Sequence, residues 1–296
     1  MFAIIGANGN AGAAAARELR KRGLAVRAVL RDRSKASEFE AIGCSVAIAD
    51  ILDQRALRAA LDGVEAVQAI CPVAPNADEP LFEMRAYADS IGEALLTTRP
   101  ARVVAISDFG AEIGSGVGIT LAFHFWEARL REAHPTPVLL RSAEHMQNWG
   151  RVLRPAAETG VLPSFHHPLT KLFPMVSAED VGRIAAEILS SAECPAAPRV
   201  VYVEGPRRYT PLAVAETFGQ ALRREIVARE IPRADWLALL TRGGLNPAYA
   251  ELIAELYDAH NAGLIEVEPG VEDIRRGTTD FADLAMLRQV PSIRGL

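Results

Sequence analysis

A glycine-rich loop near the start of the chain carries the clearest chemistry in the sequence. Residues 6–12 read Gly-Ala-Asn-Gly-Asn-Ala-Gly, between the apolar run 2–5 and an alanine-rich segment. Glycines there allow a sharp turn and a close approach of the backbone to a pyrophosphate, and the following helix offers free N–H groups and the positive end of its dipole. We therefore predict a dinucleotide site whose phosphates are held by Gly6, Asn8, Gly9, Asn10 and Gly12.

The sequence Arg-Asp-Arg-Ser-Lys after the second predicted strand bears on which dinucleotide binds. An acidic side chain at this point holds the ribose hydroxyls of NAD, whereas a cation pairs with the 2′-phosphate of NADP. Arg31, Arg33 and Lys35 favour NADP(H), and Asp32 favours NAD(H). Because side chains alternate along a strand, Arg31 and Asp32 point in opposite directions. We expect NADP(H), with NAD(H) as the alternative.

The elements that position these residues alternate between apolar strands and amphipathic helices. Strands are predicted at 2–5, 25–30, 45–49, 64–71, 101–107 and 137–141. Helices are predicted at 11–22, 34–42 (with Ser34 as its cap), 53–61, 80–98 and 122–132. This alternation predicts an α/β fold with a doubly wound parallel sheet of Rossmann type, in which ligands bind at the carboxyl ends of the strands.

The chain after residue 150 is expected to form a smaller, mostly helical C-terminal lobe on the substrate side. We assign residues 1–150 to the dinucleotide-binding domain and residues 151–296 to this lobe, with 176–203 returning to the first domain. Residues 148–173 contain prolines and two adjacent histidines, and are predicted to form an irregular loop or flap. Further helices are expected at 177–190 and 211–224 and over most of 234–296, with a strand at 199–204.

The composition excludes several classes of protein. Half of the residues are hydrophobic and the net charge is −5, which is typical of a globular protein and gives no support to direct nucleic-acid binding. The three cysteines are far apart, so we expect neither disulfides nor zinc and predict a cytoplasmic protein. No apolar run is long enough for a membrane helix. His166 and His167 have no third ligand at suitable spacing, so no metal site is expected.

Several motifs resemble the NmrA-like family of atypical short-chain dehydrogenases. They are the glycine loop and residues 26–32, 49–53, 104–111, 139–149, 173–181 and 203–206. The resemblance covers nearly the whole chain and implies a Rossmann-type domain with bound NADP(H) and a smaller substrate lobe. Members of the family include quinone and azo-dye reductases, isoflavone-type reductases, and regulators that bind the dinucleotide without turning it over.

The resemblance also implies roles for individual residues. Arg31 would face the 2′-phosphate, and Ser107 matches the family's serine at the end of the fifth strand. Other residues expected at the cofactor are Lys35 beside Arg31, Asp50 and Ile51 at the adenine, and Cys71, Pro72 and Val73 at the nicotinamide ribose. The substrate pocket is expected near Phe109, Glu144, His145 and Phe165.

The usual acid–base pair of short-chain dehydrogenases is missing. That pair is Tyr-x-x-x-Lys, in which the lysine lowers the pKa of the tyrosine. None of the five tyrosines is followed four residues later by lysine, and Ala128 or Arg129 stands where reductases of the family have a lysine. We consider His124 and Ser107 as catalytic groups. His124 is a candidate because histidine side chains titrate near neutrality. For His124 the alternative is a structural histidine packed beside Trp126, and water is another source of protons.

Two functions are compatible with an intact cofactor loop and a missing Tyr-x-x-x-Lys pair. The favoured one is an NADPH-dependent reductase that transfers hydride to a small apolar electrophile such as a quinone, because the cofactor supplies this chemistry. The alternative is a non-catalytic NAD(P)-binding redox sensor that acts through a protein partner. Epimerase or dehydratase chemistry comes third, because it depends on the absent tyrosine. A homodimer remains open.

Overall fold

Residues 1–193 and 195–284 are described by a computed structural model, and they contain twelve strands and ten α-helices. The strands are β1 (Phe2–Ile5), β2 (Val26–Leu30), β3 (Ser45–Ile48), β4 (Ala66–Ile70), β5 (Arg102–Asp108), β6 (Val138–Ser142), β7 (Glu144–His145), β8 (Val161–Ser164), β9 (Met175–Val176), β10 (Arg199–Glu204), β11 (Val227–Glu230) and β12 (Ile274–Arg276). The helices are α1 (Asn10–Lys21), α2 (Ala36–Ala41), α3 (Gln54–Leu61), α4 (Pro80–Thr98), α5 (Leu121–Ala133), α6 (Gly150–Thr159), α7 (Ala178–Ser190), α8 (Pro211–Leu222), α9 (Trp236–Arg242) and α10 (Pro247–Ala262). Cys194 and residues 285–296, the end of the expected lobe, lie outside the described residues.

The main sheet has eight parallel strands in the order β12-β10-β6-β5-β4-β1-β2-β3. β1 lies in its interior, with Phe2 opposite Val26 on one side and Ala66 on the other. In chain order, β2 and β3 follow β1 on one side of it. The chain then crosses back to β4 on the other side of β1, and β5, β6, β10 and β12 extend the sheet from there. The strand order therefore reverses between β1 and β4, where doubly wound sheets bind their ligands. The predicted Rossmann-type fold is confirmed.

Helices cover both faces of the sheet, which explains why its strands are apolar throughout. The helices α1 and α7 lie on one face, and α3, α4 and α5 lie on the other. The backbones of α1 and α7 are in close contact at Gly182. A Cβ there would overlap the carbonyl oxygen of Ala11. This contact fixes the first turn of α1, and with it the glycine loop, against α7.

A second core lies beside the sheet and belongs to the smaller, mostly helical lobe. Its largest buried side chains include Trp149, Phe173, Phe218 and Phe281. The prediction of an irregular flap at 148–173 is wrong in part, since this segment contains α6 and β8. Leu153 and Ala156 of α6 are buried despite Pro155 inside the helix, so tertiary packing outweighs the helix-breaking tendency of proline.

The second half of the chain also completes the main sheet. β10 pairs with β6, with Arg199 opposite Val138, and β12 pairs with β10, with Tyr202 opposite Ile274. The sequence predicts β10 but neither β11 nor β12. These two strands are short and rich in charged residues, so only the neighbouring strand holds them in extended form.

Candidate functional site

The loop between β1 and α1 has the backbone geometry of a phosphate cradle. Gly6 has a φ of 73°, a left-handed conformation that glycine adopts without strain, and a Cβ there would lie 2.6 Å from Ile70 Cγ2. A Cβ at Gly12 would overlap the carbonyl oxygen of Gly6, so only glycine lets the helix approach the strand this closely. The loop is therefore shaped by close backbone contacts.

The N-terminus of α1 is open to an anion. Gly9 is its N-cap, no side chain caps the helix, and the first turn contains no acidic residue. Asn8, Gly9 and Asn10 are all exposed at the mouth of the loop. The uncapped N–H groups and the positive end of the helix dipole fit a pyrophosphate.

The residues after β2 differ in what they already bind. Asp32 accepts hydrogen bonds from the backbone nitrogen of Ser34 at 2.9 Å and from its hydroxyl at 2.8 Å, and these bonds lower the pKa of Asp32. Asp32, rather than Ser34 as predicted, is the cap of the helical turn that precedes α2. Lys35 pairs with Glu38 at 2.9 Å. Within the described residues, the exposed Arg31 forms no hydrogen bond or salt bridge.

The loop after β3 lies beside a tyrosine that the sequence analysis does not single out. Asp50 Oδ1 accepts a hydrogen bond from the backbone nitrogen of Leu52, and the carbonyl of Ile51 accepts one from the Ser90 hydroxyl. Burial, together with Glu83 and the charge of Asp50, raises the pKa of Tyr87 on α4 to about 12. A phenol that stays neutral is suited to hydrogen bonding or stacking rather than to proton transfer.

After β4, Pro72 and Val73 are accessible to solvent, whereas the preceding residue, Cys71, is buried. The thiol of Cys71 donates to the carbonyl of Met84 at 3.4 Å within the core, and burial raises its pKa to about 12. Val73 is 48% exposed and Pro72 is half-buried. Any contact of Cys71 with a nucleotide would therefore come from its backbone.

Ser107, at the end of β5, belongs to a buried polar network. Its hydroxyl donates to Glu127 Oε1 at 2.7 Å, and Glu127 accepts two hydrogen bonds of 2.8 Å from Arg141. The Nη1 atom of Arg141 also lies 2.8 Å from Glu112 and from Glu268. The hydroxyl of Ser107 is thus a donor to Glu127, and its catalytic role stays a prediction.

His124 lies on α5 at the edge of a cavity of about 640 Å³. Its Nδ1 atom is 2.9 Å from the carbonyl oxygen of Ala111, which fixes the orientation of the ring. The cavity is also lined by Glu112, Arg141 and Glu268, which belong to the buried network. The structure brings His124 next to this network, and its catalytic role also stays a prediction.

The four residues predicted for the substrate pocket lie in different environments. Phe109 is buried and packs edge-on against Tyr202, with ring centroids 4.7 Å apart. Phe165 is half-buried and packs against the rings of Trp236 and Tyr257. Phe109 is therefore a core residue at the carboxyl edge of the sheet, whereas Phe165 belongs to a cluster of aromatic side chains.

Glu144 and His145 form β7, just after β6, and lie within a histidine-rich cluster. Glu144 Oε2 is 2.9 Å from His166 Nε2. Burial raises the pKa of Glu144, but the hydrogen bond and the electrostatic interaction with His166 outweigh this and lower it. Burial lowers the pKa of His145, and lowers that of His260 to about 3. The ring of His166 stacks on Phe173 at 3.9 Å between centroids.

Asp108 is the residue at this edge that sequence reasoning missed. It follows Ser107 at the end of β5 and is partly exposed, whereas Ser107 and Phe109 on either side are buried. Its Oδ2 atom accepts a hydrogen bond of 2.6 Å from the hydroxyl of Thr120. Burial and the nearby charges of Glu144 and Glu112 raise the pKa of Asp108 to about 7, against the lowering effect of Thr120. The only signal in the sequence is an acidic residue at a strand's carboxyl end.

No group of three or more His, Cys, Asp or Glu in residues 1–193 and 195–284 is arranged to hold a metal ion. Within the same residues, no helix combines the length and the apolar character needed to cross a membrane.

A family model described as NAD(P)H-binding matches residues 6–157, which begin at the glycine loop and extend through β6 into α6. The chain belongs to the NAD(P)H-binding family. The match covers every predicted cofactor residue, so the expected binding of NAD(P)H is confirmed.

The similarity to known proteins extends over nearly the whole chain. The chain is 26% identical over 291 residues to an NAD(P)H azoreductase of Xenophilus azovorans, covering 96% of each protein. Its fold is similar to that of an NADPH-dependent quinone oxidoreductase from Escherichia coli in complex with NADPH, with a TM-score of 0.79, 22% identity and coverage of 100% and 99% of the two chains. It is also similar to the negative transcriptional regulator NmrA in complex with NADP, with a TM-score of 0.74, 17% identity and coverage of 100% and 97%.

The family match confirms the predicted NAD(P)-binding family, and the structural likenesses, which include NmrA, confirm the Rossmann-type fold. The azoreductase relative, together with the family match, also supports the prediction of an NAD(P)H oxidoreductase. The missing Tyr-x-x-x-Lys pair does not separate the two predicted functions, since the cofactor supplies the hydride and another group or water can supply a proton.

Proposed function

We propose that this chain is an NADPH-dependent reductase that transfers hydride to a small apolar electrophile of the azo or quinone type. The observation that carries the proposal is the phosphate cradle at Gly6–Gly12 next to a sheet edge walled by aromatic side chains. The relation to an azoreductase over nearly the full length of both chains favours turnover over simple binding.

The preference for NADPH over NADH rests on what Asp32 and Arg31 bind. Both carboxylate oxygens of Asp32 accept hydrogen bonds from Ser34, so ribose hydroxyls would have to compete for them. Arg31 is exposed and forms no hydrogen bond or salt bridge among the described residues, so its guanidinium could pair with a 2′-phosphate. Lys35 would have to leave Glu38 to contribute.

The bound dinucleotide would supply the hydride, and the chain would orient it and exclude water. Gly9, Asn8 and Asn10 would hold the pyrophosphate, while Pro72 and Val73 would border the nicotinamide ribose. With the pyrophosphate over β1, the reactive end would extend over the carboxyl ends of β4 and β5.

An aromatic wall closes the substrate side of this edge. It consists of Phe165 with Trp236 and Tyr257, and burial raises the pKa of Tyr257 well above its ordinary value, so its hydroxyl stays neutral. Asn261, just after Tyr257 on α10, donates to the carbonyl of Phe165 at 2.9 Å and accepts from the backbone nitrogen of His167 at 2.8 Å. The end of α10 thus holds the segment 165–167 in one position, which would give a flat apolar molecule a firm surface to stack on.

The test is to titrate the purified chain with NADPH and NADH, followed by nicotinamide fluorescence, and then to measure NADPH oxidation with azo and quinone acceptors. We expect NADPH to bind at least about tenfold more tightly than NADH, a difference of about 1.4 kcal/mol, and to be oxidised when acceptor is added. Tight binding without oxidation by any acceptor would contradict the proposal and favour the non-catalytic sensor. Binding of neither dinucleotide would contradict both.

A further inference from the structure

We propose that Asp108 is the proton donor that acts together with hydride transfer in this reaction. The inference rests on the proposed function and assigns the acid that the missing Tyr-x-x-x-Lys pair leaves open. It concerns a residue outside the predicted catalytic groups, His124 and Ser107.

The position of Asp108 follows from strand register. Gly6 contacts Ile70 at the end of β4, and Ile70 pairs with Ile106 of β5. Asp108 comes two residues after Ile106, at the same carboxyl edge, and pairs with Ser142 of β6. With adjacent strands about 4.8 Å apart, Asp108 lies about 10 Å along the edge from the loop, on the side away from β2 and β3. A dinucleotide that crosses this edge has its nicotinamide on that side.

The carboxyl group of Asp108 is oriented, and the residue is partly exposed. The hydroxyl of Thr120 donates to Oδ2, and the backbone N–H of Phe109 also interacts with the carboxyl group. Thr120 itself is fully buried in the turn against which α10 packs, so its hydroxyl is fixed. Asp108 keeps partial exposure between two buried neighbours, so a molecule lying on the sheet edge can reach it.

The groups that face Asp108 favour its neutral form. Glu112 on the following loop and Glu144 in β7 are both acidic, and Tyr249 on α10 lies close enough for the charge of Asp108 to affect its pKa. Burial and these carboxylates raise the pKa of Asp108 to about 7. A neutral carboxyl group near pH 7 is an effective general acid, because its pKa matches the working pH.

The reaction balances for an azo acceptor. The carboxyl group of Asp108 would give a proton to one azo nitrogen, and the other nitrogen would accept the hydride that bound NADPH would supply. The π bond of N=N breaks as the two N–H bonds form, which leaves an N–N single bond. NADPH is oxidised to NADP⁺, the azo compound is reduced to a hydrazo compound, and water returns a proton to the carboxylate of Asp108.

The decisive comparison uses two acceptors with different needs. An azo dye requires hydride and a proton, whereas a triarylmethane carbocation requires hydride alone and becomes a neutral product. In Asp108→Asn we expect kcat for the azo dye to fall about 100-fold or more, the usual contribution of a general acid. Reduction of the carbocation and the KM for NADPH should change less than about threefold. An equal loss with both acceptors would mean a structural role and would overturn the proposal.

The pH profile gives a second, independent readout. Since the protonated form is active, kcat of the wild type for the azo dye should be level below about pH 7 and fall tenfold per pH unit above it, and Asp108→Asn should lack this decline. Thr120→Val removes the hydrogen bond that lowers the pKa of Asp108, so it should move the decline to higher pH. A decline that stays unchanged in Asp108→Asn would overturn the assignment. If the wild type reduces neither acceptor, the proposed function itself fails.

Discussion

Glu127 and Arg141 form a two-point ion pair inside the protein, with both hydrogen bonds 2.8 Å long and the side chains only 1% and 2% exposed. Burial lowers the pKa of Arg141, but the hydrogen bonds and charge of Glu127 outweigh this and raise it, so the guanidinium stays charged. Ser107 and Glu112 are attached to the same pair. The network therefore connects α5 to β5 and β6 beneath the candidate active site.

Replacing Arg141 should be among the most destabilising single changes in the chain. Arg141→Met leaves Glu127, Glu112 and Glu268 close together without their cation, and we expect a loss of about 3–5 kcal/mol in the free energy of unfolding at neutral pH. Urea unfolding at neutral pH measures it. Arg131→Met is the matched control, because Arg131 binds the same Glu127 but is 41% exposed, and it should cost less than about 1 kcal/mol.

Alanine substitutions at Gly12 and Gly9 should have different effects on stability and on NADPH binding. In Gly12→Ala the new Cβ overlaps the carbonyl oxygen of Gly6, so we expect the free energy of unfolding to fall by about 1–3 kcal/mol. In Gly9→Ala the Cβ would lie 3.4 Å from that oxygen, an ordinary contact, so stability should be unchanged. NADPH should nevertheless bind about tenfold more weakly to Gly9→Ala, because the Cβ stands at the exposed mouth of the cradle. Full NADPH affinity in Gly9→Ala would place the pyrophosphate elsewhere.

Arg31 should determine the preference between the two dinucleotides. Arg31→Ala removes a charge-assisted contact with the 2′-phosphate, so the Kd for NADPH should rise about 10- to 100-fold while that for NADH stays the same. Arg33→Ala is the control for a general loss of positive charge, and its effect should be smaller. A similar loss of affinity for both dinucleotides in Arg31→Ala would argue against the assignment.

His260 should make the protein less stable in acid. Its pKa falls from an ordinary 6.5 to about 3, mainly because it is buried. Below about pH 6.5 the unfolded chain binds a proton at this residue that the folded chain does not, so stability is lost as the pH falls from 6.5 toward 3. His260→Gln removes this contribution, and its unfolding free energy should decline less than that of the wild type between about pH 7 and pH 4.5. Parallel declines in the two proteins would mean that other groups are responsible.

The sheet and the glycine loop could be predicted from the sequence because their signals are local. The apolar run before Gly6 and the alanine-rich segment after Gly12 are enough to place a strand, a turn and a helix. The residues after the second strand were harder, because a sequence does not tell whether Asp32 caps the next turn. Its hydrogen bonds to Ser34 show that it does, and they depend on the conformation of three residues.

The acidic and histidine side chains at the sheet edge were not predictable in this way. Glu144 meets His166 from 22 residues away, and Asp108 meets Thr120 across a turn whose path the sequence does not reveal. The pKa of Asp108 depends on burial, which only the folded chain creates. The segment 148–173 was misread because Pro155 suggests a break, whereas the apolar contacts that stabilise α6 come from distant residues.

The late return of β10 and β12 to the main sheet has a consequence for biosynthesis. When the ribosome has made the first 150 residues, β6 is still an open edge, and its neighbour β10 arrives only with residues 199–204. Until then the nascent chain exposes an apolar strand with unpaired backbone groups, which is a template for aggregation. We expect a gene truncated after codon 150 to yield inclusion bodies, and chaperones that shield strand edges to improve the yield of the full-length protein.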